Sequence, residues 1–393
     1  MSLIACLNNN KYLVIIVKLG VISATLNEDF TGVPNYTYNL ISELDNLMGK
    51  DSLHMINYQD DPFFKNIHKF IIKNPLGYLS KLFPLSSYFW YTYLGMKLNA
   101  QNFDLDIVHN PYQVPTLFKF KKQKYVVTVH DLMQVMFPEM VKPSVYFIQK
   151  FFLPKTLKYA DAIITDSYST KNDLITLFKI PEHKINVIYL AANNEYKLLD
   201  SKEVGQVKKR YGIDSPFILY VGSLKPLKNI STLIKSFYHL KKKNLPHKLV
   251  ITGKRRLKYK EIFRLIDELN LQNDIIFTGY VDKTDLPALY NAAELFVSPS
   301  IYEGFGLPPL EAMACGCPVI TSNTSSLPEV VGDAGIMVDP YDVDGLADSM
   351  YEVLTNDRLK NDMSKKGLNR AKMFSWEKCA RETLKVYEEV FEK

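Results

Sequence analysis

Arginine is missing from the first half of this 393-residue chain: none occurs before Arg210, so lysine alone supplies the positive charge there. Cysteine is scarce. The four present, Cys6, Cys315, Cys317 and Cys379, have spacings that fit neither a zinc site nor a disulfide framework. A small disulfide-stapled secreted fold is thereby excluded, and a reducing cytoplasm is the expected setting. Long apolar runs are absent too. The longest early one, Tyr12 to Val17, is interrupted by Lys18, well short of the roughly 18 residues a membrane-spanning helix needs. No small-residue cleavage site follows it cleanly, which argues against a signal peptide. Leu19–Ser23 reads instead as the first core strand, preceded by an extension or a misplaced start. Charge is not extreme in either sign. The net value of +6 is too mild to imply nucleic acid, and suits an anionic membrane surface or a phosphorylated substrate. No internal repeat or low-complexity tract is evident.

What is present is an ordinary globular composition, 47% hydrophobic and 23% charged. The length favours two domains of roughly 100–200 residues, each with its own core. Short apolar runs alternate with helical patterns, the signature of βαβ units and parallel sheets. In the first half the pattern predicts strands at Leu19–Ser23, Ser52–Ile56, Ile107–His109, Tyr125–Val129, Ala162–Thr165 and Asn186–Tyr189. Helices are expected at Val33–Leu47, Val145–Tyr159 and Ser169–Phe178. The second half predicts strands at Phe217–Val221, Lys248–Thr252, Ile275–Thr278, Leu295–Pro299, Pro318–Thr321 and Gly335–Val338. Its helices are Ile230–Lys243, Tyr259–Leu269, Lys283–Asn291, Leu310–Ala314 and Trp376–Phe391. A polar stretch, Ala191–Lys202, reads as the linker. The expected fold class is α/β, two Rossmann-like domains facing across a cleft, over 1–198 and 199–375. A last helix over 376–393 has packing back on the first domain as one option. In such sheets ligands bind outside the carboxyl ends of the strands, so loops after strands hold the candidates.

The richest loop runs from Ser298 through Glu303, Gly304, Gly306, Pro308, Pro309 and Glu311 to Pro318. The prolines suit the first positions of a helix. A glycine-containing loop entering a helix makes an anion site from free N–H groups and the positive dipole end. Carboxylates would repel a phosphate, so Glu303 and Glu311 fit hydroxyls of a sugar and a ribose. From the residue types alone a plain alternative stands beside this: a dipole-complementing Glu311 in the first helical turn and a solvated Glu303.

This segment resembles the E-x7-E region of the retaining, family-4-type (group 1) glycosyltransferases, whose two-domain fold is called GT-B. The resemblance continues through Ser322–Gly335. It implies that Glu303 contacts the donor sugar, that Glu311 holds the ribose, and that amides around Phe305, Gly306 and Leu307 hold the phosphates. Tyr220–Asn229 is similar to the family's phosphate-binding turn. That places Gly222 and Ser223 at the donor and gives Lys228 the task of neutralising the leaving diphosphate. The family's arginine is replaced by Ser223 or Leu227, with Lys225 one turn away. Phe30–Tyr36 resembles the N-terminal glycine loop, with Gly32 kept and Thr31 in place of the second glycine. His130, at a strand end, matches a histidine that lies near the donor sugar. Ser169 and Asp173 read as ordinary helix-capping residues, and Asp104-Leu-Asp106 lies on the wrong side of its strand for a metal site.

The resemblance therefore implies a retaining hexosyltransferase. It would move glucose or mannose from a UDP- or GDP-sugar to a glycan or lipid-linked glycan, with no metal and no other cofactor. His130, Lys228 and Glu303 would be its catalytic groups. A nucleotide-sugar-binding subunit without catalysis is the alternative, motivated by the missing arginine. The aromatic and lysine-rich span Phe63–Leu98 offers two readings: contact with an anionic membrane on the cytoplasmic face, or a helical insertion packed on the first domain.

Overall fold

The computed structural model describes residues 4–8, 11–15, 17–27, 32–49, 51–60, 63–73, 75, 86–100, 103–116, 119–254 and 259–393, with backbone only for 4–8, 11–15, 86–89 and 259. The chain divides into two compact units. Unit 1 is Met1–Leu190 with Trp376–Lys393, and unit 2 is Ala191–Ser375.

Unit 1 opens with an antiparallel hairpin, β1 (Ile4–Asn8) and β2 (Lys11–Ile15). Its sheet then builds from β3 (Leu19–Ile22), α1 (Gly32–Leu47), β4 (Leu53–Asn57), β5 (His68–Ile71), α2 (Ser86–Ala100), β6 (Ile107–Asn110), β7 (Lys124–Val129), α3 (Met133–Met136), α4 (Pro143–Tyr159), β8 (Ala162–Thr165), α5 (Tyr168–Phe178) and β9 (Ile185–Val187). The seven strands β5-β4-β3-β6-β7-β8-β9 are all parallel. β3, β4, β6 and β8 are buried along their whole length, as expected of strands covered by helices on both faces. β5 escaped the sequence pattern because it is an edge strand with both ends exposed.

Unit 2 runs through α6 (Ser201–Arg210), β10 (Phe217–Val221), α7 (Ile230–Lys242), β11 (Lys248–Thr252), α8 (Tyr259–Glu268), β12 (Ile275–Gly279), α9 (Leu286–Ala292), β13 (Leu295–Ser298), α10 (Leu307–Ala314), β14 (Val319–Ser322), α11 (Leu327–Val331), β15 (Ile336–Val338), α12 (Val343–Thr355) and α13 (Asp357–Ala371). The six strands β12-β11-β10-β13-β14-β15 are again all parallel. The polar stretch read as a linker belongs to this unit. Asn291 ties it to α9, accepting from the Leu199 amide at 2.9 Å and donating to Lys197 O at 2.8 Å.

α14 (Trp376–Glu392) returns to unit 1. Its buried residues Trp376, Cys379, Ala380, Thr383, Val386, Tyr387 and Val390 recur every three or four positions, one face of a helix. Trp376 lies against Tyr36 with ring centroids 6.2 Å apart, and the Tyr387 hydroxyl meets His109 Nδ1 at 2.7 Å.

Each sheet reverses its winding once. β3 to β5 step one way and β6 to β9 the other; β10 to β12 step one way and β13 to β15 the other. The switch points therefore lie between β3 and β6 and between β10 and β13. Connecting loops diverge there and leave room outside the strand ends.

In the aromatic and lysine-rich span, 74 and 76–85 lie outside the described residues, as do the side chains of Tyr88 and Phe89. Phe64, Trp90, Tyr91, Leu94 and Leu98 are buried, with Trp90 Nε1 donating to Ile72 O at 2.8 Å. Those side chains pack in unit 1, while Phe63 is exposed.

Candidate functional site

At the switch point of unit 2, two loops meet. The one after β10 turns at Gly222 and closes in a 3₁₀ turn, Pro226–Lys228. Asn229 follows in the left-handed region, φ 53°, its side chain donating to Pro340 O and accepting from Thr232. The loop after β13 is tied to this turn by a 2.8 Å bond from the Ile301 amide to Leu227 O. Across that tie Lys228 Nζ donates to Glu303 Oε1 at 2.5 Å, and Ser300 Oγ donates to the same oxygen at 2.7 Å. Both donors use Oε1. The Glu303 amide donates to Ser325 Oγ at 3.0 Å, and Ser326 Oγ donates to the carbonyls of Glu303 and Phe305 at 3.0 and 2.7 Å. The serine-rich stretch after β14 thus holds the loop from beneath.

Gly222 sits so close to the end of β11 that a Cβ on Gly253 would stand 2.0 Å from Gly222 O. Ser223 lies in the same turn, and its carbonyl accepts from the Lys225 amide at 2.9 Å. Gly306 caps α10 at φ 112°, where a Cβ would also meet Leu327 at 2.9 Å; only glycine fits. The helix begins at Leu307, three residues earlier than the pattern indicated, because this glycine supplies the turn. Of the first four N–H positions a helix leaves without partners, two here are Pro308 and Pro309. The N–H groups at the helix entry narrow to those of Gly306 and Leu307.

Glu311 is the fifth residue of α10, so it stands just past the first turn rather than in it. The Tyr290 hydroxyl donates to its Oε2 at 2.9 Å. Burial raises its pKa to about 7, against hydrogen bonds from Tyr290 and Tyr196 and the charge of Lys283, which pull it down. Burial in turn lowers the Lys283 pKa, opposed by Glu195 and Glu311. Ser300, Ser325, Tyr196 and Tyr290 were not singled out in the sequence. Only the density of hydroxyl residues between Ser298 and Ser326 hinted at the first two.

Unit 1 arranges its candidates differently. Gly32 opens α1 at φ 20° with open space around it; Phe30 and Thr31 lie outside the described residues. His130, after β7, is buried and held on both ring nitrogens. Nδ1 lies 2.6 Å from Asp166 Oδ2 and Nε2 lies 2.9 Å from Pro111 O. Both partners are acceptors, so the ring carries both protons. Burial alone would lower its pKa, but the Asp166 charge and hydrogen bond outweigh it and the value is raised. Neither nitrogen is left for a ligand in this arrangement. Its backbone is fixed as well: Gln113 accepts from the His130 amide and Thr170 Oγ1 donates to its carbonyl. Next to it on β6, His109 is driven down to about 3 by burial and by the His130 charge. Its Nε2 lies 2.9 Å from Thr128 Oγ1.

Two smaller expectations are resolved. The cap of α5 is Ser167, whose side chain accepts from the Thr170 amide at 3.1 Å, not Ser169 or Asp173. Asp104 and Asp106 both go to Lys18, the first to its ammonium and the second to its amide at 2.8 Å. Among the described residues no group of three or more His, Cys, Asp or Glu side chains is placed to hold a metal ion.

Comparison with known proteins adds three kinds of likeness. Residues 30–195 match the family model described as "Glycosyltransferase Family 4", and 205–370 match "Glycosyl transferases group 1". The chain is 37% identical to O-antigen chain mannosyltransferase B of Escherichia coli over 67% of its own length and 70% of that protein's. It is 34% identical to serotype-specific mannosyltransferase WbdA of Escherichia coli over 65% of its length, but spans only 32% of that protein. Among solved structures, Anabaena HepE in complex with UDP and glucose superimposes with TM-score 0.73 at 17% identity, covering 95% of this chain and all (100%) of HepE.

Proposed function

The chain belongs to the group 1, family 4 glycosyltransferases, whose fold of two parallel-sheet Rossmann-like domains it has, and from that premise we propose that it moves a hexose from a nucleoside-diphosphate sugar to a hydroxyl of a surface glycan, retaining the anomeric configuration. The names of the sequence relatives favour mannose over glucose as the sugar. The donor is a UDP- or GDP-hexose, the acceptor is a glycan or a lipid-linked glycan, and the work is done on the cytoplasmic face of the membrane.

One observation carries the reading: Lys228, Ser300 and Glu303 form one bonded cluster at the unit 2 switch point, beside the Gly306 and Leu307 amides of α10. As the bond to the anomeric carbon breaks, negative charge grows on the leaving diphosphate. Fixed donors aimed at that charge lower the barrier. Lys228 and the two amides are such donors, and they make a metal ion unnecessary. Lys228 and Ser300 occupy Oε1 of Glu303, which leaves Oε2 to accept from the sugar hydroxyls. Glu311, steadied by Tyr290, accepts from the ribose. His130, paired with Asp166, fixes the loop beyond β7 of unit 1, and Gly32 opens the backbone at the start of α1.

A thermal-shift panel of UDP, GDP, ADP and their hexose conjugates tests the donor. At one hundred times Kd a bound donor stabilises the protein by about 2.7 kcal/mol. A panel with no shift, together with no transfer to lipid-linked or free glycan acceptors, would remove the proposal.

A further inference from the structure

Glu311 is met by side chains from three other pieces of unit 2. From α9, the Tyr290 hydroxyl donates to its Oε2 at 2.9 Å. From the stretch between β9 and α6, Tyr196 gives the same carboxylate a hydrogen bond, and the neighbouring Glu195 adds a negative charge. From the loop after β12, Lys283 adds a positive one. Cys315, four residues further along α10, is the remaining titratable neighbour, and burial pushes its thiol up. Burial does the same to both tyrosines, so their hydroxyls stay protonated and remain donors.

The stretch that carries Tyr196 is fixed in place. Its amide donates to Asn193 O at 3.0 Å, and Asn193 Nδ2 donates to Glu195 Oε1 at 3.1 Å. The Tyr196 ring stands edge-on to that of Tyr290, with centroids 5.9 Å apart. Asn291, next to Tyr290 on α9, holds the Leu199 amide and Lys197 O. Leu198 lies at the end of α10, 2.9 Å from where a Cβ on Gly316 would stand. Tyr290 is fully buried, whereas Tyr196 and Glu311 are half-buried. Of the two hydroxyls, that of Tyr196 therefore belongs to the more accessible side chain.

A carboxylate drawn away from water needs donors to stay ionised. Ionised, it is acceptor-only and can take a ligand hydroxyl; protonated, one of its oxygens becomes a donor. We infer that Tyr196, from the stretch joining β9 to α6, is a positioning residue of the donor site: with Tyr290 it holds the Glu311 carboxylate ready to accept from the ribose of a nucleoside diphosphate. This rests on the reading of Glu311 as the group that meets the donor's ribose. Tyr196 touches the carboxylate and acts through it.

The test is calorimetric titration of the full chain with UDP and with GDP between pH 6 and pH 9. Tyr196→Phe keeps the ring against Tyr290 and removes the hydroxyl. Losing a donor to the ionised form raises the Glu311 pKa, so the midpoint of the affinity profile should move up by about one pH unit. Affinity should then be about fivefold weaker at pH 7 and equal to wild type at pH 9. Tyr290→Phe should move the midpoint the same way. In a Glu311→Gln background, Tyr196→Phe should leave the pH dependence unchanged. A Tyr196→Phe profile superimposed on the wild type, or weakened equally at every pH, would overturn this inference and leave the donor reading standing. Binding of neither nucleotide to the wild type would overturn both.

Discussion

The strand ends of the two sheets use the same topology for opposite purposes. In unit 2 the loops beyond β10 and β13 bring a lysine, a carboxylate and a hydroxyl together, with one carboxylate oxygen engaged, beside the glycine-capped entry of α10. In unit 1 the residues beyond β6, β7 and β8 spend their polar atoms on one another: His130 on Asp166 and Pro111, Gln113 on the His130 amide and Asp131 O. The first arrangement keeps bonding capacity at its loop ends; the second has engaged both ring nitrogens of His130 and buried what remains, Asp166 Oδ1 having no hydrogen-bond partner among the described residues. A polar residue at a strand end is therefore not a ligand contact by position alone. What separates the cases is whether its partners are drawn from the protein or left for something else.

Substitutions can break the contrast. The largest effect is expected at His130→Ala, which leaves Asp166 buried without its cation. About 3–5 kcal/mol of stability should be lost, visible as a lower denaturant midpoint. A loss below 1 kcal/mol would place His130 with the ligand-binding groups instead. Lys228→Ala should do the reverse: kcat falls about 10²–10³-fold while the denaturation midpoint barely moves. Glu303→Ala should likewise abolish transfer without unfolding, and wild-type rates in either variant would remove that residue from the site.

Two pH predictions sharpen the comparison. Glu311 ionises near 7, and its carboxylate form is the better acceptor for a ribose hydroxyl. Donor affinity should thus rise about tenfold from pH 6 to pH 8, and Glu311→Gln should flatten the curve. In unit 1 the two histidines carry opposite signs. His130 has a raised value, so its contribution to stability is complete below the ordinary 6.5 and fades as pH climbs through the folded value. His109, at about 3, contributes above 6.5 and loses that contribution as pH falls toward 3. The smallest effect is expected from Tyr387→Phe, which removes the partner of His109 Nδ1 at a cost of about 1 kcal/mol, measurable as a shift in Tm.

How far the sequence could be read follows the same physics. Ala162–Thr165, Phe217–Val221 and Lys248–Thr252 were legible to the residue, because parallel strands buried on both faces are short unbroken apolar runs. α6 and α13 were not. Only Val207 in the first, and Met363 and Gly367 in the second, are buried, too few to impose a 3.6-residue period. α2 is apolar around its circumference and hides its period in the other direction. At the site, Glu303, Glu311 and Lys228 were legible from a resemblance spread over contiguous segments. Their supports were not. Tyr290 lies on α9 and Tyr196 in a stretch that reads as linker; likewise Asp166, the partner of His130, comes just after the next strand. Nothing local announces a pairing made through space.

The return of α14 to unit 1 has a consequence for the order of assembly. Unit 2 is continuous in the chain, whereas unit 1 is written in two pieces separated by the whole of unit 2. During synthesis from the amino end, Tyr36 and His109 leave the ribosome long before Trp376 and Tyr387, the groups that cover them. The earlier piece must wait with part of its sheet uncovered, while the later unit has every residue it needs. Unit 2 can therefore be the first to finish folding, and nascent chains arrested before Trp376 should hold one completed body and one susceptible to protease.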